Sequence, residues 1–312
     1  MTVPGAPHRL PGDPAAAGPL EVVEFTDPLC PWAWGSEPAF RLLRAALAGR
    51  ARFRRVYGML FDDGDDPAPD PAAETAWYAR HVAEISATTG APYAARLRRV
   101  AASSWPAARV AKAAELQGPA VATRVLRRLR ETVFVTGDPA DTPELALAAV
   151  CGVPGLDHGR LAADAASPEV LERLRADHAE ARGPVPEVLS VDSDSPHPGA
   201  ARETPDGALR YALPTLLLRT PAGRAVVPGW RPFAAYAEAV DRLCPGALRP
   251  PAPRPAAEAL EVHRSLTEPE RRVLATGAWP PPGAVEVATG NGPLWLHPQE
   301  AAARPDAGAR LG

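Results

Sequence analysis

TDPLCPWAWGSEPAF, residues 26–40, joins an apolar run (Leu20, Val22, Val23, Phe25) to an amphipathic one (Phe40, Leu42, Leu43, Ala46, Leu47) and sets one cysteine, Cys30, at the junction. LEVVEFTD (20–27) is valine-rich and partly alternating, which predicts a buried strand. Pro31 suits the first position of a helix, where its missing N–H would have no partner anyway. That helix is expected to reach Ala48–Gly49, with Gly49 as C-cap and a kink at Pro38. A strand entering a helix through Cys30 puts the sulfur at a helix N-terminus, where first-turn N–H groups and the macrodipole favour negative charge. The expectation is a thiol more acidic than a free one. A C-x-x-C redox pair needs a second sulfur three residues on, and that position holds Ala33.

Outward from this junction, RFRRVYGMLF (52–61) reads as a second strand. DDGDDPAPDPAAE (62–74) is an acidic, proline-rich loop; Asp62, Asp63, Asp65 and Asp66 lack the helix–loop–helix frame of a calcium site and read as solvated. From Pro71 to Arg182 the pattern is helical, with segments predicted at 72–89, 92–101, 106–117, 119–135, 143–151 and 168–182. Residues 184–208 read as a long mobile loop. RYALPTLLLRTPAGRAVVPGW (210–230) reads as two strands joined by a Pro-Ala-Gly turn, and 231–243 as a helix. After a linker at 245–256 come a helix opened by a Thr267-x-x-Glu270 capping box and a hairpin, 285–297, turning at Gly290-Asn291-Gly292.

The composition narrows the function classes. Of 312 residues 46% are hydrophobic and 23% charged, an ordinary globular balance. The net charge of −3 argues against a nucleic-acid or membrane partner. Lys112 is the only lysine, and basic pairs such as Arg127–Arg128 sit among acids on helical stretches, which reads as a solvated face. Three cysteines build no disulfide framework. Cys151 reads as a small buried hydrophobe, and Cys244 sits far from Cys30. The N-terminal MTVPGAPHRLPGDPAAAGPL has no signal-peptide core and reads as a flexible tail. These features predict a cytoplasmic protein with reduced thiols. The seven histidines show no metal-type spacing, so no metal site is expected.

The order strand–helix–strand, helical block, strand–strand–helix, and small appendage is an α/β plan. On DPLCPWAW (27–34), WPAARVAKAAELQG (105–118), LPTLLL (213–218) and GWRPF (229–233), the chain resembles the DsbA-like branch of the thioredoxin superfamily over about residues 20 to 243. Its cytosolic members include disulfide oxidoreductase-like proteins, the 2-hydroxychromene-2-carboxylate isomerase group and an adaptor serving the ClpXP protease. The resemblance implies a thioredoxin-like fold with an all-helical insertion after the second strand; the helix-plus-hairpin appendage read from the pattern after about residue 256 has no counterpart in that family. Together these readings divide the chain into a tail (1–19), a thioredoxin-like domain (20–61 with 209–244), the insertion (71–183), a loop (184–208), a linker (245–256) and the appendage (257–312).

The resemblance also implies a site. The family's C-P-x-C motif maps onto Cys30, Pro31, Trp32 and Ala33. Pro214 maps onto the family's cis-proline beside the cysteine, with Leu213 offering its backbone to an extended thiol substrate and Thr215 following. Trp34 and Trp105 are the further candidates for the substrate surface. No tightly bound cofactor is implied; glutathione or another low-molecular-weight thiol is the candidate small-molecule partner, and a disulfide-bearing protein the candidate client. The oligomeric state stays open. The function expected first is a monothiol oxidoreductase or transferase in which Cys30 forms a mixed disulfide or activates a low-molecular-weight thiol; the alternative is a non-catalytic adaptor in which Trp32, Trp34 and Trp105 line a partner groove. The appendage, with Trp279 and Trp295, reads as an extension covering a sheet edge.

Overall fold

The structure, a computed structural model, describes residues 20–63, 68–191, 195–197, 199–204 and 206–304. The predicted tail at 1–19, Asp65 and Asp66 of the acidic loop, and residues 305–312 of the appendage lie outside the described residues.

Strand β1 (Leu20–Thr26) is followed by two short helices, α1 (Pro31–Gly35) and α2 (Glu37–Ala46), and by β2 (Ala51–Tyr57). The helical insertion holds α3 (Pro71–Thr89), α4 (Trp105–Ala114), α5 (Pro119–Glu131), α6 (Pro143–Ala149), α7 (His158–Ala166) and α8 (Pro168–Ala181). A four-residue helix α9 (Pro186–Leu189) and a short hairpin, β3 (Ala201–Glu203) with β4 (Leu209–Tyr211), lead to β5 (Thr215–Thr220), β6 (Gly223–Pro228) and α10 (Phe233–Leu243).

The main sheet has the order β2-β1-β5-β6. β1 is parallel to β2 and antiparallel to β5, and β5 is antiparallel to β6. The parallel pair needs a crossover, which α1 and α2 supply. Alternation along β1 assigns its two faces. Val23 and Phe25 pack with Cys30, Trp32, Tyr211 and Leu217. Leu20 and Val22 pack on the other side with Phe40, Tyr236 and Val240 of α2 and α10. Cys244 borders this second cluster, across the sheet from Cys30. Inside the insertion, the alanines of α4 allow close packing against Leu126, Leu129, Leu161 and Leu174.

The appendage holds α11 (Ala256–His263), β8 (Ser265–Thr267), α12 (Glu268–Leu274), β10 (Val285–Val287), β11 (Leu294–Leu296) and α13 (Pro298–Ala302), with a two-residue bridge of β7 (Arg254–Pro255) to β9 (Ala275–Thr276). The capping box forms: Thr267 and Glu270 satisfy each other's backbone N–H groups. The hairpin forms as well, with β8 as a third strand in the order β10-β11-β8. Among the described residues no helix is long and apolar enough to cross a membrane.

Several expectations are corrected. The first helix does not run on with a kink; it breaks at Ser36, whose hydroxyl bonds the Trp32 carbonyl at 2.8 Å. Residues 92–101 are not helical, because tertiary partners take their backbone groups: the Pro92 carbonyl accepts from Trp34 Nε1 at 2.8 Å and the Tyr93 N–H donates to Asn291 at 3.0 Å. Helices α7 and α11 escaped the sequence pattern. Cys151 is exposed rather than buried. Arg127 and Arg128 are not a solvated face; both are buried and pair with Glu270 and Glu300 of the appendage. The appendage packs against α1, α2 and the insertion, joining Leu266 and Leu274 to Leu42, and Leu296 to Trp34 and Phe134, not against an edge of the main sheet. Asp62 is held by Arg182, His178 and Trp105 rather than simply solvated.

Candidate functional site

Cys30 is the N-cap of α1, with extended backbone (φ −85°, ψ 116°). Its side chain is only 2% exposed. The thiol donates to the Leu213 carbonyl oxygen at 3.3 Å. The Leu213–Pro214 peptide bond is cis. The Pro214 carbonyl accepts the Gly229 N–H at 2.7 Å, which ties the start of β5 to the end of β6. Thr215, fully buried, donates its hydroxyl to the Ala212 carbonyl at 2.6 Å and so fixes the turn that presents Leu213.

A third group reaches the same carbonyl. His197 Nε2 lies 3.0 Å from the Leu213 oxygen, and its Nδ1 lies 3.2 Å from the Gly199 oxygen. The ring packs edge-on against Trp32 with centroids 5.2 Å apart. Ser195 anchors the segment by donating to the Trp230 carbonyl at 2.7 Å. Burial holds His197 down at about 4, against the pull of its two carbonyl acceptors. The ring is therefore neutral near pH 7 and carries one N–H for two acceptors.

The electrostatics of Cys30 reverse the sequence expectation. Burial pushes the thiol up to about 11; the Ala33 and Trp32 N–H groups and the Arg130 guanidinium pull down less, and Asp27 adds to the rise. The reason is one of magnitudes. Helix α1 is five residues long and Pro31 removes one donor, so its N-terminal field is weak beside the cost of placing a thiolate in a dry pocket. At pH 7 Cys30 is therefore overwhelmingly the neutral thiol. Glu37, further along, is kept ionised: burial disfavours its charge, but Arg130, Arg44, Arg41 and Arg127 outweigh that.

Of the candidate residues, Cys30, Trp32, Ala33 and Leu213 form one buried cluster, with Pro31 and Pro214 at its turns. Trp34 and Trp105 do not join it. Trp34 points into the junction with the appendage, stacked with Phe134 at 6.2 Å and covered by the Arg127 guanidinium at 4.4 Å. Trp105 packs with the insertion core, bonding Asp62 at 2.9 Å and lying against His178. Trp279 and Trp295 face each other within the appendage, 6.3 Å apart.

Three neighbours of the sulfur went unread in the sequence. Asp27 is buried, accepts the N–H groups of Leu29 (2.6 Å) and Leu60 (2.7 Å), and has its pKa raised by burial. The spacing D-x-x-C was its signal. Tyr78 on α3 has a buried hydroxyl with no acceptor among the described residues, and the fields of Cys30 and Asp27 add to burial in raising its pKa. His197 had no local signal, because it reaches Leu213 from the stretch read as a mobile loop.

With this geometry in place, the comparisons are specific. A family model described as Thioredoxin matches residues 24–183, about half of the chain. The ClpXP adapter protein SpxH of Shouchella clausii is 32% identical over 176 residues, 56% of each chain. The protein of that name from Halalkalibacterium halodurans is 32% identical over 163 residues, 51% of this chain and 53% of that one. The chain spans about half the length of these curated relatives. Among solved structures, a candidate protein disulfide isomerase from Nitrosomonas europaea superposes with a TM-score of 0.56 at 16% identity, over 72% of this chain and 97% of that one. The cytosolic disulfide reductase DsbM of Pseudomonas aeruginosa gives 0.50 at 21%, over 72% and 99%. By its family match and its β2-β1-β5-β6 sheet with a helical insertion, the chain belongs to the thioredoxin family and has the DsbA-like form of that fold.

Proposed function

We propose that this protein is a thioredoxin-fold adaptor that holds a polypeptide client against the Trp32–Cys30–Leu213 surface, and that Cys30 is a reserve thiol rather than a nucleophile that turns over. The observation that carries this reading is the setting of the sulfur: 2% exposed and bonded to Leu213 O, with Ala33 where a resolving thiol would stand. The curated relatives, named as protease adapters, support the same class. The client would add as an extended strand, its backbone replacing His197 at the Leu213 carbonyl. Three unpaired cysteines fit a reducing compartment, the cytoplasm.

A second reading, monothiol exchange, is favoured by the 3.3 Å approach of the sulfur to the residue before Pro214. There the Cys30 thiolate would attack a client disulfide, forming one S–S bond as the client's breaks and its second sulfur leaves as a thiolate. An external thiol such as glutathione would then attack the mixed disulfide and release Cys30. Turnover of a glutathione-linked disulfide substrate separates the two. The adaptor reading expects the same rate for the protein and its Cys30→Ala variant; a Cys30-dependent rate overturns it in favour of exchange.

A further inference from the structure

Where α2, α5 and the appendage meet, the fold forms an open cleft of about 380 Å³. Six arginines line it, Arg41 and Arg44 from α2, Arg124, Arg127 and Arg128 from α5, and Arg264 after α11, against two glutamates, Glu131 and Glu300. In a chain whose net charge is −3 this is a local excess of positive charge. The surrounding carboxylates are shared with arginines outside the lining: Glu24 meets Arg44 (3.3 Å), Arg55 (3.3 Å) and Arg130 (3.5 Å). Glu37 is shared by Arg41 (3.5 Å), Arg44 (3.3 Å) and Arg130, and Glu270 by Arg127 (2.8 Å) and Arg41 (3.3 Å). Glu131 is shared by Arg127 (2.6 Å) and Arg304.

Two donors are left over. Arg124 has no carboxylate within 4.0 Å among the described residues; its Nη1 meets only the Pro154 carbonyl, at 3.2 Å. The Nε of Arg264 is buried with no acceptor, although its two Nη groups are used by Glu261 and Gln299. A buried donor without a partner costs about 1–3 kcal/mol, more when charged. The potential in the cleft is correspondingly positive: His263 on its wall is pushed down to about 3 by burial and by Arg41, Arg127, Arg254 and Arg44.

We propose that this cleft binds a small molecule through a phosphate or pyrophosphate group, received by Arg124 and Arg264 and by the arginine wall between them. Guanidinium forks match phosphate oxygens in pairs, and such oxygens supply acceptors without bringing hydrogen-bond donors of their own. The volume falls within the range of small-ligand sites, about 300–1,000 Å³. Because α2, α5 and the appendage each contribute wall residues, the ligand fastens the appendage to the body of the protein. The site lies outside the cluster around Cys30 and stands whether or not the adaptor reading does.

The test is isothermal titration of the full chain with inorganic pyrophosphate and, separately, with adenosine diphosphate, at fixed ionic strength, beside thermal melts in each ligand and in sodium chloride of matched ionic strength. The proposal expects saturable binding, a melting temperature raised above the chloride control, and affinity weakened at least tenfold by Arg124→Gln and by Arg264→Gln. Arg124 lies at the surface, so its variant keeps the fold even where Arg264→Gln does not. Tighter binding of adenosine diphosphate marks an organic phosphate ester as the ligand; equal binding marks the pyrophosphate group alone. No binding, a chloride-like thermal shift, or affinity unchanged in folded Arg124→Gln overturns the proposal.

Discussion

Cys30 and His197 converge on one acceptor: the Leu213 carbonyl oxygen lies 3.3 Å from the sulfur and 3.0 Å from Nε2 of the ring. The histidine meets the carbonyl that, on the proposed adaptor reading, an extended client would use, and its ring packs edge-on against Trp32.

Removing the cap should free the thiol. His197→Ala lets water reach the sulfur and lowers its pKa; a fall of one unit raises the thiolate fraction tenfold. Site-resolved alkylation of Cys30 at pH 8 should accelerate about tenfold. Gly229→Ala should act in the same direction, because a Cβ there would stand 2.7 Å from the His197 ring and Gly229 has φ +71°. An unchanged alkylation rate in both variants would show that His197 is not the barrier.

Among the described residues Arg130 is the most enclosed cation, 0% exposed, bonded to Glu37 and to Thr26 Oγ1 (2.6 Å), with Glu24 at 3.5 Å. Arg130→Met strips a counter-charge from two buried glutamates, and should cost about 3–5 kcal/mol in urea unfolding. A loss below about 1 kcal/mol would mean that Arg41 and Arg44 suffice for Glu37.

Stability should fall with acid through Glu131. Burial opposes its charge, but Arg304, Arg127 and the Ser265 hydroxyl outweigh this and hold its pKa at about 2, below the ordinary 4.5. A depressed folded-state pKa stabilises the fold fully above the unfolded value and less as pH falls towards the folded one. About 3 kcal/mol should therefore be present at pH 7 and fade between about pH 4.5 and 2. In urea titrations across that window Glu131→Gln should show a shallower decline; parallel curves would contradict the assignment.

In the appendage the capping box and the docking charge share one side chain. Thr267→Ala removes one cap bond and should cost about 1 kcal/mol. Glu270→Ala also leaves buried Arg127 without its bidentate partner (2.8 and 2.9 Å) and should cost several times more. Equal losses in thermal melts would mean that the Arg127 pair adds nothing to docking.

The parts of the fold legible in the sequence were those written locally. Cys30-Pro31 after a valine-rich strand, Pro214 before β5, and Thr267-x-x-Glu270 each carry their structure in a few adjacent residues. The parts that were not legible depend on distant partners. An arginine pair beside acids on α5 looks the same whether it faces water or, as Arg127 and Arg128 do, glutamates more than a hundred residues away. Residues 92–101 have a helical pattern, yet Trp34 and Asn291 claim their backbone groups. The acidity of Cys30 follows the same rule: the helix end is local, while the burial that overrides it comes from distant residues such as Tyr211, Leu213 and Leu217.

The rate of iodoacetamide reaction at Cys30, resolved by mass spectrometry from pH 6 to 11, tests the central claim most directly. The account predicts a slow reaction near neutrality and a midpoint well above pH 9, approaching the value of about 11 set by burial. A midpoint below pH 7, with fast alkylation at neutral pH, would contradict it and return Cys30 to the role of a working nucleophile.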